Sequence, residues 1–456
     1  MNGVDVAIVG AGLSGLSAAH RLRAQGIENI VIIEARGNAG GRAWRELYGD
    51  HLVISRGGAW VGPSQQSVLE MAAAYGIETF PAVPDVLRDE YRVRGEVVER
   101  VRDAEVAAVA RPDEVRVVYD EFARIVDGID RHRPWDSPAA ADLDGITLRT
   151  WISERVGDDP DLKDLVEEMF IRPIGMSPAE VSVLSVAAYF AGSGGVVAHD
   201  EGAVLERVVG GAGRIVDSLA DDFRPVLRTS CPVRQITWDE HGAELYIDGE
   251  TVRAARVIVA MSPSNAAQID FSPLLPRRRR QLQDGWLQPG LIKTSFVYDE
   301  PFWWADGLTG RAVVDAPGRF TMRDDSPSDG RYGILVGFSY PSAGSSSLTL
   351  EADSDDRGTR TKLMLDAIVE LFGERAADPQ VVVETDWGSE PWIGGCIGLP
   401  RAGVLSAYGS TLREPVGVLH WAGTETATDW PNHLNGAVQA GQRAADEVVE
   451  LLRSYD

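Results

Sequence analysis

Three glycines, Gly10, Gly12 and Gly15, stand in a G-x-G-x-x-G spacing, with Ser14 in the same turn and Glu34 closing the apolar stretch that follows. Glycines at these intervals let the chain leave a strand sharply and bring backbone N–H groups against an anionic pyrophosphate at a helix N-terminus. A carboxylate at Glu34 can accept both ribose hydroxyls of an adenosine, so the chemistry indicated is dinucleotide binding. NAD and FAD satisfy it equally at this point. Lys293 lies in Leu291-Ile292-Lys293-Thr294, and the only other lysines are Lys163 and Lys362. A lysine on an apolar strand is costly unless it is paired or functional; the plain alternative is a side chain that snorkels to the surface. Cys396 follows Gly394 and Gly395, and Cys231 is the other cysteine. Two cysteines in a chain this long are no disulfide framework and suit a reducing, cytoplasmic setting. The plain alternative for Cys396 is a free buried cysteine acting as a small hydrophobe.

These groups need elements to position them. Asp5 to Val9 reads as a buried strand, Leu13 to Gln25 as a helix with apolar residues at Leu13, Leu16, Ala19 and Leu22, and Ile30 to Glu34 as a second strand. That is a βαβ unit with the glycine turn at its strand-to-helix junction. Residues 81 to 204 carry helical patterns, including Glu114 to Ile129 and Leu162 to Phe170. Val226 to Val259 alternates like strands, with turns at Asp239–Gly242 and Asp248-Gly249. Further strands are expected at Leu291–Tyr298, Leu335–Ser339 and Val418–Trp421, and helices at Arg360–Phe372 and Asn435–Leu452. The run Arg277–Arg280 after Pro276 reads as the solvated start of a helix.

Three further stretches separate NAD from FAD. Glu34-Ala35-Arg36 followed by Gly40-Gly41-Arg42 resembles the second signature of the FAD-dependent amine oxidases, where a glycine pair and an arginine close over the flavin diphosphate. Gly57-Gly58-Ala59-Trp60-Val61-Gly62-Pro63 is similar to the corresponding stretch of flavin monoamine oxidases, except that Ser55 stands where relatives carry an acidic residue. Trp421-Ala422-Gly423-Thr424-Glu425-Thr426, then Asn435-Gly436 and Arg443, resembles the family's closing motif. The resemblance runs from residue 4 to about 450 and is loosest at 85 to 200.

It implies a two-domain α/β fold with a Rossmann-like FAD domain formed by residues 1–80, 205–284 and 384–456. A substrate domain of mixed sheet and helices takes 81–204 and 285–383. By resemblance the flavin contacts also include Val233, Trp387 and Leu434, with Glu425 near the ribityl chain and pyrophosphate. The last helix points its N-terminus at the flavin pyrimidine edge, where reduced flavin carries negative charge. Lys293 corresponds to the lysine that holds a water against flavin N5, and Cys396 to the cysteine that some relatives bond to the flavin C8 methyl. Trp60, Ile397 and His433 fall on the substrate side; the last two occupy the places of a tyrosine pair, so neither tyrosine is present.

The implied reaction is oxidation of an amine C–N bond to an imine. A hydride equivalent passes to N5, and dioxygen reoxidises the flavin to give hydrogen peroxide. Rivals are an L-amino-acid oxidase, which needs a carboxylate clamp such as Arg172, a desaturase or dehydrogenase with another acceptor, and a non-catalytic flavin-binding protein. The net charge of −25 disfavours nucleic acid. No metal is expected, no apolar run is long enough for a membrane span, and the first strand begins too close to Met1 for a signal peptide. A small amine and dioxygen are the expected partners, with a homodimer left open.

Overall fold

The computed structural model describes residues 3–49, 51–82, 90–93, 96–99, 111–314, 320–340 and 357–453. Two large sheets organise them. The first runs in the order Leu227–Arg228, Ile30–Ile33, Val4–Val9, Glu250–Val259, Ala243–Ile247, Gln235–Trp238, Asp270–Ser272. Its centre is parallel, with Val6–Val9 lying between Ile30–Ile33 and Arg256–Val259, and Leu419–Trp421 joining the far side of Val257–Val259. Val6, Ala7 and Ile8 have no exposed surface. An unbroken apolar run is what a parallel strand covered on both faces requires.

Helix Leu13–Ala24 packs on one face of this sheet beside the closing helix Leu434–Arg453. The two helices approach so closely that a methyl on Gly441 would stand 2.1 Å from the Ser14 carbonyl oxygen. This contact ties the first motif in the chain to the last.

The second sheet is largely antiparallel, in the order Val381–Asp386, Ile292–Tyr298, Gly333–Ser339, Phe320–Asp324, Ala312–Val314, Glu90–Val93, Glu96–Glu99. Every residue of Ile292–Tyr298 is buried. Helix Arg357–Phe372 supplies Met364, Ile368 and Leu371 to the core that Phe296 and Tyr298 share. A separate block of helices, Pro112–Asp127, Leu148–Val156, Pro160–Ile174 and Val183–Gly192, closes around Phe122, Trp151, Phe170 and Phe190. Three of them start at side-chain caps, Thr147, Asp159 and Ser182, each accepting an N–H from the first turn. A small sheet of Trp60–Val61, Glu206–Val208 and Thr79–Pro81 places Trp60 directly opposite Arg207.

The predicted elements lie where periodicity put them, with two corrections. Glu90–Val93 and Glu96–Glu99 form a hairpin inside the stretch read as helical; residues 83–89, 94–95 and 100–110 of that stretch lie outside the described residues. The Arg277–Arg280 run does start a helix, Arg277–Asp284, but it is not wholly solvated. Arg279 is buried, donates to the carbonyls of Thr411 and Leu412 at 2.8 and 2.9 Å, and lies 3.7 Å from the Trp421 ring centroid. One arginine of the four has turned inward as a packing and hydrogen-bonding strut. Among the described residues no helix is long and apolar enough to cross a membrane, and no cluster of three or more metal-ligating side chains occurs.

Candidate active site

A cavity of about 360 Å³ runs along the carboxyl ends of the central parallel strands. The glycine turn forms its floor. Gly10 has φ +105° and cannot carry a side chain without strain. A methyl on Gly15 would stand 2.0 Å from the Gly10 carbonyl oxygen, so this glycine lets helix and strand meet. A methyl on Gly12 would touch nothing within 4 Å, because that side faces the cavity. Gly40 and Gly41 line the same wall. Ser14 also lines the cavity, and its hydroxyl donates to the Ala422 carbonyl.

Glu34 is buried and accepts N–H bonds from Ala11 at 2.7 Å and Arg36 at 2.8 Å, one on each carboxylate oxygen. It locks the glycine turn to its own strand and keeps a second lone-pair site on each oxygen for a ligand. Burial pushes its carboxyl above the ordinary value, while these N–H donors and the Arg36 guanidinium pull the other way. Arg36 lies over Trp44 at 4.8 Å and pairs with Glu390 at 3.4 Å. Ala35, Arg36 and Val233 line the cavity here.

Arg42 joins three distant segments. Its Nη1 donates to the Cys396 carbonyl at 2.6 Å, and its Nη2 lies 2.7 Å from Glu425 Oε1. The Glu425 carboxylate has no exposed surface, and the contact is a charge pair without hydrogen-bond alignment. Glu425 therefore sits behind the wall that Gly423 and Thr424 present to the cavity. Leu434 and Ala437, on the first turn of the closing helix, bring its positive N-terminus to the same cavity. Gly58, Ala59 and Trp60 form the opposite wall; a methyl on Gly58 would meet Leu434 at 3.4 Å.

Cys396 lines the cavity with a free thiol. Burial raises its pKa, opposed by the Arg42 and Lys293 cations. Trp387 does not line the cavity but lies against Leu291 and Ile393 behind Cys396. Lys293 is buried on strand Ile292–Tyr298, second from one edge of the second sheet, and does not itself line the cavity. Its Nζ donates to the Gly57 carbonyl at 2.9 Å, 5.3 Å from the Trp60 ring centroid, and lies 3.9 Å from Asp325. Desolvation lowers its pKa to about 8.

His433 lines the cavity, with Nδ1 donating to the Pro431 carbonyl at 2.9 Å. A carbonyl only accepts, so the proton sits on Nδ1 and Nε2 is an acceptor. Tyr189 stacks on the ring at 5.8 Å, and His199 and Trp430 meet it edge-on at 5.4 and 5.0 Å. Burial, reinforced by His199, lowers the His433 pKa to about 3. The titratable proton that a histidine at this place suggests is therefore not available near neutral pH. Ile397 packs against the helical core and does not line the cavity. Arg172 likewise lies off it, ion-paired to Glu168 at 2.6 Å with both side chains buried.

Motif spacing does not reveal Asp325, Arg207, Tyr189 or His199. None belongs to a local pattern, and all reach the site through tertiary packing. Histidine scarcity is the one available signal, with seven in the chain and two of them, His199 and His433, in contact here.

A cavity floored by side-chain-free backbone, with a buried carboxylate at the strand end and a helix N-terminus along its wall, fits an adenine dinucleotide carrying a flavin. Comparisons with known proteins agree. A cyclohexylamine oxidase from Brevibacterium oxydans superposes with a TM-score of 0.90 at 31% identity, over 99% of this chain and 100% of that one. Putrescine oxidase of Kocuria rosea is 30% identical, over 98% of this chain and 95% of the relative. An L-amino acid dehydrogenase of Synechocystis is also 30% identical over the same shares. The family description "Flavin containing amine oxidoreductase" matches residues 13–449, and the chain belongs to that family.

Proposed function

We propose that this chain binds FAD in the main cavity and oxidises a C–N bond of a small amine to an imine, with dioxygen as electron acceptor. The observation that carries this reading is the continuity of one cavity from the glycine turn and Glu34 to Trp60, Cys396 and His433. Bound there, FAD would supply a two-electron acceptor for the hydride equivalent lost from the amine α-carbon, with dioxygen as the terminal oxidant giving hydrogen peroxide.

The chain's own residues bind, orient and exclude water. Glu34 and the backbone of the glycine turn hold the adenosine and diphosphate end. Arg42 keeps the Cys396 segment and the Glu425 segment at one spacing. Trp60 provides an apolar wall, and His433 provides a neutral acceptor that favours a substrate with a second N–H or O–H donor over a simple arylalkylamine. Lys293 is assigned to hold a water on the reacting side, and Cys396 to form a thioether to the C8 methyl, in which the S–H and one methyl C–H bond would break and the oxidised flavin would take up the two electrons, to be reoxidised by dioxygen. The division into an FAD domain of residues 1–80, 205–284 and 384–456 and a substrate domain of 81–204 and 285–383 belongs to the same proposal.

An L-amino-acid substrate is the second reading, favoured by the Synechocystis relative. It needs a cation in the site for the carboxylate. Arg172 is committed to Glu168 away from the cavity, which favours an amine without one. The test is an anaerobic screen of amines and amino acids that follows flavin absorbance, then peroxide assay in air. Bleaching by amines with steady peroxide is expected; bleaching by amino acids alone would replace this reading with the second. Acid-denatured protein should keep its yellow colour in the pellet, and colour wholly in the supernatant would leave Cys396 free.

A further inference from the structure

Behind Trp60 lies a set of buried charges that the glycine and flavin motifs do not account for. Lys293, Asp325 and Arg207 have side chains 2%, 1% and 7% exposed, so water cannot balance them. Arg207 stands on the short strand Glu206–Val208, opposite Trp60. Its guanidinium donates to the backbone carbonyls of Asp325 and Ser326 and pairs with Asp325 Oδ1 at 2.5 Å. Asp325 Oδ2 faces Lys293 Nζ at 3.9 Å. The bend that carries Asp325 is pinned on both sides. The Asp325 N–H bonds to the Ile334 carbonyl at 2.8 Å, and the neighbouring Asp324 accepts from Trp303, Trp304 and the Ser326 N–H at 2.8, 2.6 and 2.7 Å.

We propose that Asp325 is a positioning residue, shared between Arg207 and Lys293, that decides whether the amine of Lys293 is held as an ammonium. Two cations converge on one carboxylate, and at these separations Arg207 has the stronger claim. Lys293 receives the remainder. Its other titratable or charged neighbours are Cys396, which would favour the ammonium only as a thiolate and whose own ionisation burial opposes, and Arg56, which with Arg207 disfavours it. Glu384, paired with Arg360 from helix Arg357–Phe372, stands on the adjoining strand, but it is registered with Thr294, whose side chain points to the opposite face. Burial outweighs the partial compensation and leaves Lys293 at about 8, so its charge changes at mildly alkaline pH.

This inference rests on the assignment of Lys293 to the reacting side, and the test separates the two. The chain has three lysines, so FAD-loaded enzyme labelled with 13C at lysine Cε gives a spectrum of three side-chain signals. Lys293→Met identifies the one of interest by its loss. In Asp325→Asn the Lys293 midpoint should fall by about one pH unit or more. In Arg207→Gln it should rise by about one unit, because Asp325 is then left to Lys293 alone. A structural disturbance common to both variants would not move the midpoint in opposite directions.

The pH profile of flavin reoxidation should follow the same midpoints. Unmoved midpoints, or a shift of the same sign in both variants, would overturn the role of Asp325. If one variant does not load with FAD, the sign of the other decides alone. Midpoints that move while the reoxidation profile stays fixed would uphold the Asp325 coupling and overturn the placing of Lys293 at the flavin.

Discussion

The two ends of the cavity are built on different principles. At the end proposed for the adenosine the cavity wall is backbone: Gly10, Gly12, Gly40 and Gly41, with one carboxylate, Glu34, fixed by two N–H bonds. At the end proposed for the substrate the wall is made of side chains whose partners come from far along the chain: His433 against Tyr189 and His199, with Lys293, near Asp325 and Arg207, buried behind Trp60. A backbone cradle tolerates almost no change at its close contacts and sets no preference among amines. A side-chain wall can be altered one group at a time, and each alteration changes chemistry more than architecture.

The sharpest way to break that contrast is within the glycine turn itself. Gly15→Ala forces a methyl to 2.0 Å from the Gly10 carbonyl and should cost about 3 kcal/mol, the upper range for overpacking; urea unfolding measures it. Gly12→Ala places its methyl in open cavity and should leave stability within about 0.5 kcal/mol, yet bound FAD should fall sharply. Equal losses of stability in the two variants would show that the turn is a packing device alone.

Glu34→Gln comes next. It keeps the shape but weakens two charge-assisted bonds and the ribose contact, so FAD affinity should fall by about tenfold to a hundredfold, measured by flavin fluorescence on dilution. At the other end, Lys293→Met should slow reoxidation by oxygen by about a hundredfold while amine reduction changes less. Stopped-flow traces of both half-reactions decide it, and equal slowing would remove the special role of the lysine.

The smallest effect is expected at His433. Its folded pKa of about 3 lies below the ordinary value of 6.5. Above pH 6.5 neither the folded nor the unfolded state takes the proton, and the residue adds no pH dependence. As pH falls from 6.5 toward 3 the unfolded chain binds a proton that the folded site refuses, so stability declines with acid. His433→Phe should remove part of that decline, seen as a shallower loss of unfolding midpoint between pH 6 and 4. Turnover of the true substrate should fall without any shift of the pH–rate profile between 6 and 9; a shifted profile would mean that the ring titrates during catalysis.

What could be read along the chain follows the same division. The βαβ unit is legible because Gly10, Gly12, Gly15 and Glu34 solve a local geometric problem, and periodicity places Val4–Val9 and Leu13–Ala24 beside them. Lys293 is legible for a different reason, its rarity on an apolar strand. The substrate wall is less so. Ile397 follows Cys396 in the chain, yet it turns into the helical core, a choice made by packing that its neighbours in sequence do not encode. Arg172 invites the role of carboxylate clamp until Glu168, one turn earlier, is seen to hold it. Arg279 reads as one of four solvated cations and is instead buried against Trp421, because its environment is assembled from the last part of the chain.

Arg42 carries one more consequence. Its guanidinium gathers the second signature, the Cys396 segment and the Glu425 segment, so the walls of the cavity are closed by contacts between the early and late portions of the polypeptide. During synthesis the glycine turn and Glu34 emerge long before the residues that close the cavity over them. Cofactor capture is then a late event, and a ligand that binds only the closed form stabilises it by mass action, about 2.7 kcal/mol at a hundredfold excess over its dissociation constant. The supply of cofactor in the cell thereby acts on how much of this enzyme survives proteolysis, as well as on how much of it is active.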